Sequence, residues 1–449
     1  MTVLSAMATG SEPVRDVDTC AACAPPRDAA LRSFAQAQAV VRAHCSVPPA
    51  EIVDSDAALG RVLASDVRSP VDLPAFANSA MDGFALCSAG ATLRAGDQFA
   101  VGGAQAAGEG IAHADRAQAW EIMTGARLPD GLDTVVPVEN VAVVARDGDG
   151  LPARIRLLAD VGPGRHVRRA GEDIGRDALA IAARTWIGPA ERLLLAGLGI
   201  ASVPVARQPR VALLCTGREL VDDPRQALLP GQIRNANGPY IAARLQAAGA
   251  LLVRRETVPD DAVAFAAALE RALGDGADMV LSTGAVSMGR HDFVPDALRA
   301  LGARIVFHKV AMRPGKPLLF ACLAGGQLYF GLPGNPVSSA VGLRFFVETA
   351  LRAQLGLPAE TGWRLPLAHA VRKKPGARLV QKAALRLSRD GCLAVALVDG
   401  QESFKTHALL AATAWALLPE DGDGLPAGSP VDVFAPGHEA GALLGGQQA

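Results

Sequence analysis

The sequence lacks any strong excess of charge and any long apolar run. Its formal net charge is −1 at pH 7 and its isoelectric point is about 6.7, so overall charge gives no basis for binding nucleic acid or an anionic membrane. No window approaches the roughly 18 consecutive apolar residues of a transmembrane helix, and the first thirty residues contain no apolar segment typical of a secretory signal. We therefore expect a cytoplasmic protein that has neither nucleic acid nor a membrane as a partner.

The chain also lacks a disulfide framework, because its seven cysteines are odd in number and scattered. Cys20 and Cys23 form a C-x-x-C pair, which in other settings holds zinc or cycles as a dithiol. Here the pair lies in a proline-rich leader with no second C-x-x-C and no following βαβ pattern. The favoured interpretation is a disordered tail over residues 1–27, and a zinc or redox role is the alternative.

The chain has 449 residues, which is more than one domain usually contains, and half of the residues are hydrophobic. It therefore has enough hydrophobic sequence for several cores. Helical spacing of Leu31, Phe34, Ala37 and Val41 predicts a first helix, and residues 56–63 predict a second. We divide the chain into an elongated helical and β N-terminal domain (28–75 and 164–205), an inserted small β-rich domain (76–163), an α/β domain (206–357), an all-β C-terminal domain (360–436) and a tail (437–449).

The α/β assignment follows from alternating strand-like and helix-like segments after Arg210. Strands are predicted at 211–215, 251–258, 279–282, 304–307, 318–321 and 327–330, and helices at 239–248, 261–273 and 294–301. Such alternation predicts a mainly parallel sheet with helices on both faces, so the fold class is multidomain α/β. Ligands in this architecture bind beyond the carboxyl ends of the strands, where loops 216–219, 283–285 and 331–336 carry polar residues.

Two short loops, 314–317 (PGKP) and 331–336 (GLPGNP), predict an anion site. The second precedes an apolar segment, 337–357, that reads as a helix with Asn335 at the N-cap and Pro336 at the first position. Free backbone N–H groups and the helix dipole would then face an anion, together with Lys309, Arg313 and Lys316. The alternative is a pair of tight turns with solvated lysines.

Carboxylates stand in four segments rich in glycine, proline and small polar residues: 78–83, 123–139, 216–220 and 282–292. Asp82, Glu219 and Asp292 of these segments, and Asp278 just before the last of them, stand beside an anion loop and indicate a hard divalent cation, Mg²⁺, that bridges to phosphate oxygens. Each has an ordinary alternative: Asp82 in a hairpin turn, Thr124 as a turn hydroxyl and Asp278 as a cap at the start of a strand. His291 and His308 lack ligand spacing, so we expect hydrogen-bonded loop residues.

Taken in order, these segments resemble the molybdopterin molybdenumtransferase family over roughly residues 30–436. The resemblance rests on 74–83 (PAFANSAMDG), 122–125 (IMTG), 167–173 (VRRAGED), 216–217 (TG), 219–220 (EL) and the two loops PGKP and GLPGNP. It implies a four-domain subunit, dimerisation through the N-terminal domain, and a molybdopterin-binding α/β domain.

The implied activity is insertion of molybdate into adenylylated molybdopterin, with release of AMP assisted by Mg²⁺. The resemblance further implies a homodimer, in which Asp82 and Thr124 of one subunit face Glu219, Asp278 and Asp292 of the other. These five would be catalytic, and Glu219 and Asp82 would hold the metal. The substrate and oxyanion residues would be Ser287, Lys309, Arg313, Lys316, Pro333, Asn335, Pro336 and Ser338. Further implied partners are the adenylyltransferase of the preceding step and recipient molybdoenzymes.

Three residues depart from the family pattern. Arg218 stands where a second acidic residue is usual, Ala285 replaces the second glycine of a turn, and Asn235 replaces a common aspartate. A cation at 218 would weaken metal binding, and alanine is unfavourable where φ must be positive. An alternative function is therefore a paralogue that binds molybdopterin as a scaffold or carrier. A third, disfavoured by the extra domains, is an adenylyltransferase that consumes ATP.

Overall fold

A computed structural model describes residues 31–286, 293–387 and 391–440, which form two compact units. The α/β unit comprises the chain up to Cys45, Pro209–Ala353 and the chain from Ala359 onwards. The β-rich unit comprises Ser46–Gln208 and Gln354–Pro358. Within the described ranges, none of the helices combines the length and the apolar character needed to cross a bilayer.

The α/β unit is built on a six-stranded sheet. In spatial order its strands are Leu251–Val258, Arg210–Thr216, Met279–Thr283, Leu328–Leu332, Leu319–Cys322 and Arg304–His308. The first four are parallel, and Leu319–Cys322 runs antiparallel to both of its neighbours. The sheet is therefore mixed rather than wholly parallel, yet five of the six strands point the same way and their carboxyl ends share one edge.

Both faces of this sheet are buried. Along Arg210–Thr216, Val211, Leu213 and Cys215 belong to one hydrophobic cluster. Ala212 and Leu214 belong to the cluster on the other face, as the period of two along a strand requires. The covering helices are Asn237–Ala247, Ala262–Gly274, Val294–Ala300 and Pro336–Gly342, the last continuing through a π-helical turn, Leu343–Val347, into Glu348–Gln354.

The first helix, Phe34–Ala43, begins with a capping box in which the Ser33 hydroxyl and the Gln36 side chain exchange hydrogen bonds with the backbone. It belongs to the α/β unit, not to the N-terminal domain where we expected it. The reason is its apolar stripe, since the Phe34 ring packs edge-on against Phe345 and Phe346. The second expected helix, 56–63, is only a 3-10 turn, Ser55–Ala58, and Gly60 follows with φ +74°.

Among the described residues from Trp363 onwards, the regular elements of the C-terminal part are β-strands and short 3-10 turns. Its strands are Trp363–Pro366, Val371–Arg372, Arg378–Leu387, Leu393–Leu397, Ala414–Leu418, Gly424–Leu425 and Pro430–Phe434. The edge strand Met312–Arg313 joins its sheet by parallel pairing with Arg378–Leu387. Because Trp415 and Leu417 also contribute to the α/β core, this segment packs as part of the α/β unit.

The β-rich unit contains a second six-stranded sheet. In spatial order its strands are Thr134–Pro137, Gly83–Leu86, Ala119–Ile122, Gln98–Gln105, Pro152–Leu157 and Val141–Arg146. The helix Pro189–Gly197 and three two-stranded ladders complete it, pairing Ala50–Asp54 with Ser202–Ala206, Asn78–Ser79 with Val167–Arg168, and Val67–Arg68 with Leu179–Ile181. The 76–163 segment thus contains mainly β-strands.

Candidate functional site

A cavity of about 550 Å³ opens at the carboxyl ends of the parallel strands of the α/β unit. The loops that follow four neighbouring strands supply much of its lining, as the topology predicts. The lining residues that bear on function are Thr216, Glu219, Asn235, Asn237, Asp260, Thr283, Gly284, Ala285, Pro317, Pro333, Asn335, Pro336 and Ser338. Glu219, Pro333, Asn335, Pro336 and Ser338, singled out from the sequence, are therefore brought together.

The loop after Arg210–Thr216 holds Glu219 through a glycine. Gly217 has φ +153°, and a Cβ there would lie 2.8 Å and 2.9 Å from the two carboxylate oxygens of Glu219. The neighbouring Thr216 hydroxyl donates to the Thr283 carbonyl at 2.9 Å, which ties together the ends of adjacent strands. Burial raises the pKa of Cys215 in the same strand, so this thiol stays protonated and is not a nucleophile.

Asp260 is a carboxylate of this cavity that sequence reasoning missed. It is exposed, follows the strand Leu251–Val258, and accepts the backbone N–H of Arg218 at 3.2 Å. The signal was available, since Pro259 and Asp260 come directly after a predicted strand that was expected to run parallel to its neighbours. The structure therefore pairs Glu219 with Asp260 as the carboxylates of one cavity.

Asp278, in contrast, lies at the opposite edge of the sheet. It precedes Met279–Thr283, so it stands at the amino end of that strand, whereas Glu219 and Asp260 follow carboxyl ends. Its carboxylate accepts the Arg210 backbone N–H at 2.8 Å, and its own N–H donates to the Arg210 carbonyl. Asp278 therefore does not line the cavity, and its hydrogen bonds match the alternative expectation of a cap at the start of a strand.

The loop 331–336 leads into a helix that begins where the sequence predicts, with Asn335 at the N-cap and Pro336 at the first position. Its donors are less available than expected, however. The Val337 N–H donates to the Ser403 carbonyl at 3.0 Å, and the Asn335 side chain donates to the Ser403 hydroxyl at 3.2 Å. A residue of the C-terminal segment thus occupies part of the helix terminus, which leaves the exposed cationic side chains nearby as the more accessible groups for an anion.

Those side chains line a second cavity of about 760 Å³. Arg313, Lys316 and Lys374 are exposed there, and Ser403 is half-buried. Neither Lys374 nor Ser403 was predicted from the sequence. The two cavities share Pro317 and Ser338 in their linings, so they adjoin at the start of the 336–342 helix. Lys309 lies at the carboxyl end of Arg304–His308 with φ +87° and lines neither cavity.

In the β-rich unit, Asp82 and Thr124 are direct neighbours. The Asp82 carboxylate accepts the Thr124 backbone N–H at 2.7 Å and the Thr124 hydroxyl at 3.1 Å. Asp82 lies in a bend just before the strand Gly83–Leu86, and its carbonyl accepts the Val138 N–H at 3.0 Å, which extends the pairing of that strand with Thr134–Pro137. Two residues from separate motifs therefore present one carboxylate and one hydroxyl at an exposed position.

The departures from the family pattern have defined environments. Ala285 has φ +50°, in the left-handed region that favours glycine. This is the unfavourable backbone conformation that the sequence analysis considered for an alanine at this turn. The Arg218 side chain is exposed, and its backbone contacts Asp260. The Asn235 amide donates to Asp222 at 2.9 Å and its oxygen accepts the Gly238 N–H, a role in shaping the loop. Ser287, His291 and Asp292 lie outside the described residues.

Glu219 and Asp260 suit a magnesium ion, which takes one or two carboxylates plus substrate phosphates rather than a full protein cage. Among the described residues, one group of three side chains lies close enough together to hold a metal ion, and it is outside this cavity: Glu348, His438 and Glu439. Arg244 pairs with both of those glutamates, at 2.9 Å and 2.7 Å, so that group is an ion-pair network. His308 is a hydrogen-bonded loop residue, as expected, contacting the Val286 carbonyl at 2.6 Å.

Fold and site together define an α/β protein with adjoining carboxylate and cation cavities beyond its strand ends. A family model described as "MoeA N-terminal region (domain I and II)" matches residues 32–199, and one described as "Probable molybdopterin binding domain" matches 212–353. A molybdopterin molybdenumtransferase of Synechococcus elongatus is 38% identical over 380 residues, which are 83% of this chain and 91% of the relative. The Bacillus subtilis protein of that name is 34% identical over 405 residues, 87% of this chain and 91% of the relative.

Among solved structures, the molybdopterin biosynthesis moeA protein of Pyrococcus horikoshii OT3 matches with a TM-score of 0.73 at 25% identity, over 90% of this chain and 100% of that one. The chain therefore belongs to the molybdopterin molybdenumtransferase family, a family of transferases in molybdenum cofactor biosynthesis.

Proposed function

We propose that this protein inserts molybdate into adenylylated molybdopterin and releases AMP. The observation that carries the proposal is the pair of cavities that adjoin at Pro317 and Ser338. One is lined by the carboxylates Glu219 and Asp260 beside Arg234, and the other by the cations Arg313, Lys316 and Lys374 beside Glu402. A reaction that inserts an oxyanion into molybdopterin while the adenylate leaves as AMP needs both kinds of group within one site.

The cation cavity is the proposed molybdate site. Molybdate is a tetrahedral dianion, and Arg313 and Lys316 supply charge while Ser338 and Ser403 supply hydroxyls along the same lining. Lys374 adds a third cation from the C-terminal segment. Because the Val337 N–H is used by Ser403, these side chains would provide most of the oxyanion binding.

The carboxylate cavity is the proposed site for the adenylate and for Mg²⁺. Glu219 and Asp260 would hold the ion, which neutralises phosphate charge when AMP departs. Asn237 donates its amide to the Gly334 carbonyl at 2.8 Å and so orders the rim loop. The protein then acts mainly by positioning and electrostatics, since attack at the adenylate phosphorus needs no covalent intermediate on a side chain.

The family resemblance further suggests a cytoplasmic homodimer, in which Asp82 and Thr124 of one subunit complete the site of the other. Its support is the exposed Asp82–Thr124 pair, which presents a carboxylate and a hydroxyl at the surface of the β-rich unit. Supply of adenylylated molybdopterin by an adenylyltransferase, and delivery of the product to molybdoenzymes, complete the proposal.

The deciding experiment measures AMP release from adenylylated molybdopterin with molybdate and Mg²⁺. We expect AMP to appear only when all three are present, and Lys316→Ala to raise the molybdate concentration needed. Release of no AMP while the pterin still binds would support the scaffold or carrier alternative instead. Consumption of ATP with free molybdopterin would identify an adenylyltransferase.

The shared-site proposal has its own test, based on two inactive variants. Asp82→Ala and Glu219→Ala chains, each inactive alone, should regain up to about a quarter of wild-type activity per mole of total protein when they are mixed in equal amounts and exchange subunits. The reason is that about half of the dimers are then mixed, and half of the sites in a mixed dimer are intact. A mixture of Glu219→Ala with Asp260→Ala is the matched control, since both changes lie in the same unit. If that control recovers equally, or if the first mixture stays inactive despite exchange, the sites are not shared.

A further inference from the structure

A third cavity, of about 780 Å³, opens in the C-terminal segment next to the cation cavity. Phe404 lines both of them, and the two linings have no other residue in common. We call the third one the apolar cavity, because five of its lining residues carry apolar side chains: Val398, Phe404, Ala408, Leu410 and Ala411. Phe404 therefore stands where the proposed molybdate site meets an apolar surface.

The Phe404 side chain is unusually open to solvent for a phenylalanine. It is 66% exposed, and Leu410 of the same cavity is 83% exposed. A single exposed apolar residue is ordinary on a protein surface, but this ring lies at the edge of a cavity lined by cations and hydroxyls. A phenyl face in that position is a surface on which a planar ring can stack.

The backbone around Phe404 is held on both sides by hydrogen bonds. The Ser403 carbonyl, just before it, accepts the Val337 N–H at 3.0 Å. The Lys405 carbonyl, just after it, accepts from the Nζ of the buried Lys382 at 3.1 Å. The ring is thus attached to a fixed loop, one residue from a hydroxyl of the proposed molybdate site, so a ligand that stacks on it orders little additional chain.

The three cavities form a series. The carboxylate cavity shares Pro317 and Ser338 with the cation cavity, the cation cavity shares Phe404 with the apolar cavity, and the two outer cavities share no lining residue. Adenylylated molybdopterin carries its groups in a matching order: the adenylate, then the pyran ring whose two sulfurs take up the metal, then the fused pterin ring. With the adenylate in the first cavity and molybdate in the second, the pterin ring falls at the third.

We propose that the pterin ring of the substrate stacks on Phe404 in the apolar cavity, an inference that rests on the function proposed above. A pterin has apolar faces and polar edges, so its face suits the phenyl ring and the aliphatic side chains beside it. Asp399, exposed in the same lining, supplies an acceptor for the amino and ring N–H donors at the pterin edge. Phe404 then positions the sulfurs next to the oxyanion held in the cation cavity.

The test measures equilibrium binding of two probes to the full chain by calorimetry, with Mg²⁺ and without molybdate. The probes are adenylylated molybdopterin and AMP, which lacks the pterin. Phe404→Ala should weaken binding of adenylylated molybdopterin by about tenfold, because one stacking contact is lost, and should leave the affinity for AMP within about twofold. Phe404→Tyr, which keeps an aromatic ring, should bind both probes as the wild type does.

Leu387→Ala is the matched control, because Leu387 is 71% exposed in the same C-terminal sheet and lines none of the three cavities. It should change neither affinity. Circular dichroism identifies a variant that fails to fold, and Phe404→Leu, which keeps apolar surface without a ring, then takes the place of the alanine variant. Unchanged binding of adenylylated molybdopterin after loss of the ring, or equal weakening of AMP, would overturn the proposal.

Neither probe needs turnover, so the pterin site and the insertase activity are judged separately. A wild type that binds adenylylated molybdopterin through Phe404 but releases no AMP would contradict the activity and keep the pterin site. A wild type that releases AMP while Phe404→Ala binds the substrate normally would contradict the pterin site alone. In the active protein, Phe404→Ala should raise the KM for adenylylated molybdopterin by about tenfold and leave the KM for molybdate within about twofold.

Discussion

The carboxylate of Asp278 accepts the backbone N–H of Arg210 at 2.8 Å and joins the starts of two parallel strands. The carboxylate of Asp260, which follows the next strand in the sheet, lies at the other ends of those strands and contacts the Arg218 N–H. Two aspartates only eighteen residues apart in the chain therefore stand at opposite edges of one sheet. They should respond to mutation in opposite ways.

We expect Asp260→Asn to lower the rate of AMP release by about tenfold to a hundredfold, because it removes one charge from the proposed metal cavity. Asp278→Asn should leave the rate per folded molecule within about twofold, yet lower the unfolding free energy by about 1 kcal/mol, because it weakens a charge-assisted hydrogen bond. Single-turnover assays and denaturant titration measure the two effects. The reverse pattern would restore Asp278 to the site.

For the Asp82–Thr124 pair, we expect substitutions of the two residues to reduce activity to different extents. Thr124→Val removes the hydroxyl donor but keeps the backbone donor at 2.7 Å, so we expect a loss of about tenfold in AMP release. Asp82→Ala removes the acceptor of both bonds and should cost about a hundredfold or more. Asp97→Ala is the control, since Asp97 also accepts a backbone N–H at 2.8 Å, from Arg94 in the same unit. Equal losses for Asp82 and Asp97 would indicate a purely structural role.

Ala285 is a site where glycine should be better tolerated. Its φ of +50° costs alanine about 1–2 kcal/mol, whereas glycine gives back about 0.4–1 kcal/mol through the greater freedom of the unfolded chain. Ala285→Gly should therefore raise the unfolding free energy by about 0.5 kcal/mol. Ala243→Gly, at an exposed position inside helix Asn237–Ala247, should lower it by about 1 kcal/mol. Denaturant titrations of both variants distinguish backbone strain from a general effect of glycine.

Glu348 should make stability depend on pH. Burial raises the pKa of this carboxyl from 4.5 to about 7, against the opposing effect of Arg344 and Arg244. The folded state thus binds the proton more tightly than the unfolded chain. The resulting stability is fully present below pH 4.5 and is lost as pH rises through about 7.

Glutamine cannot titrate, so the unfolding free energy of the wild type minus that of Glu348→Gln should fall by about 3 kcal/mol across this window. Glu256→Gln provides the opposite sign. Arg271 lowers the pKa of Glu256, so its contribution is present above the unfolded pKa and is lost as pH falls. Parallel slopes for the two variants would contradict the assignment.

Much of the local structure follows from the sequence. Alternating apolar segments predict the six strands and the intervening helices, because burial of both faces of a sheet leaves continuous hydrophobic runs. Asn335 and Pro336 predict the start of a helix, because capping and the fixed φ of proline act within a few residues. The polar loops at the strand ends could be identified in the same way.

Tertiary structure decided what those local signals could not. The direction of each strand determines which edge a flanking aspartate occupies, and this placed Asp260 in the cavity and Asp278 outside it. The Val337 N–H donates to the carbonyl of Ser403, which is far along the chain. Helix Phe34–Ala43 packs against Phe345 of the α/β unit rather than in the N-terminal domain. The sequence by itself determined the elements and the chemistry of their loops, because propensity, capping and burial patterns are local. Only the tertiary structure decided which residues from distant parts of the chain line the same cavity, because contacts between distant residues depend on how whole elements pack.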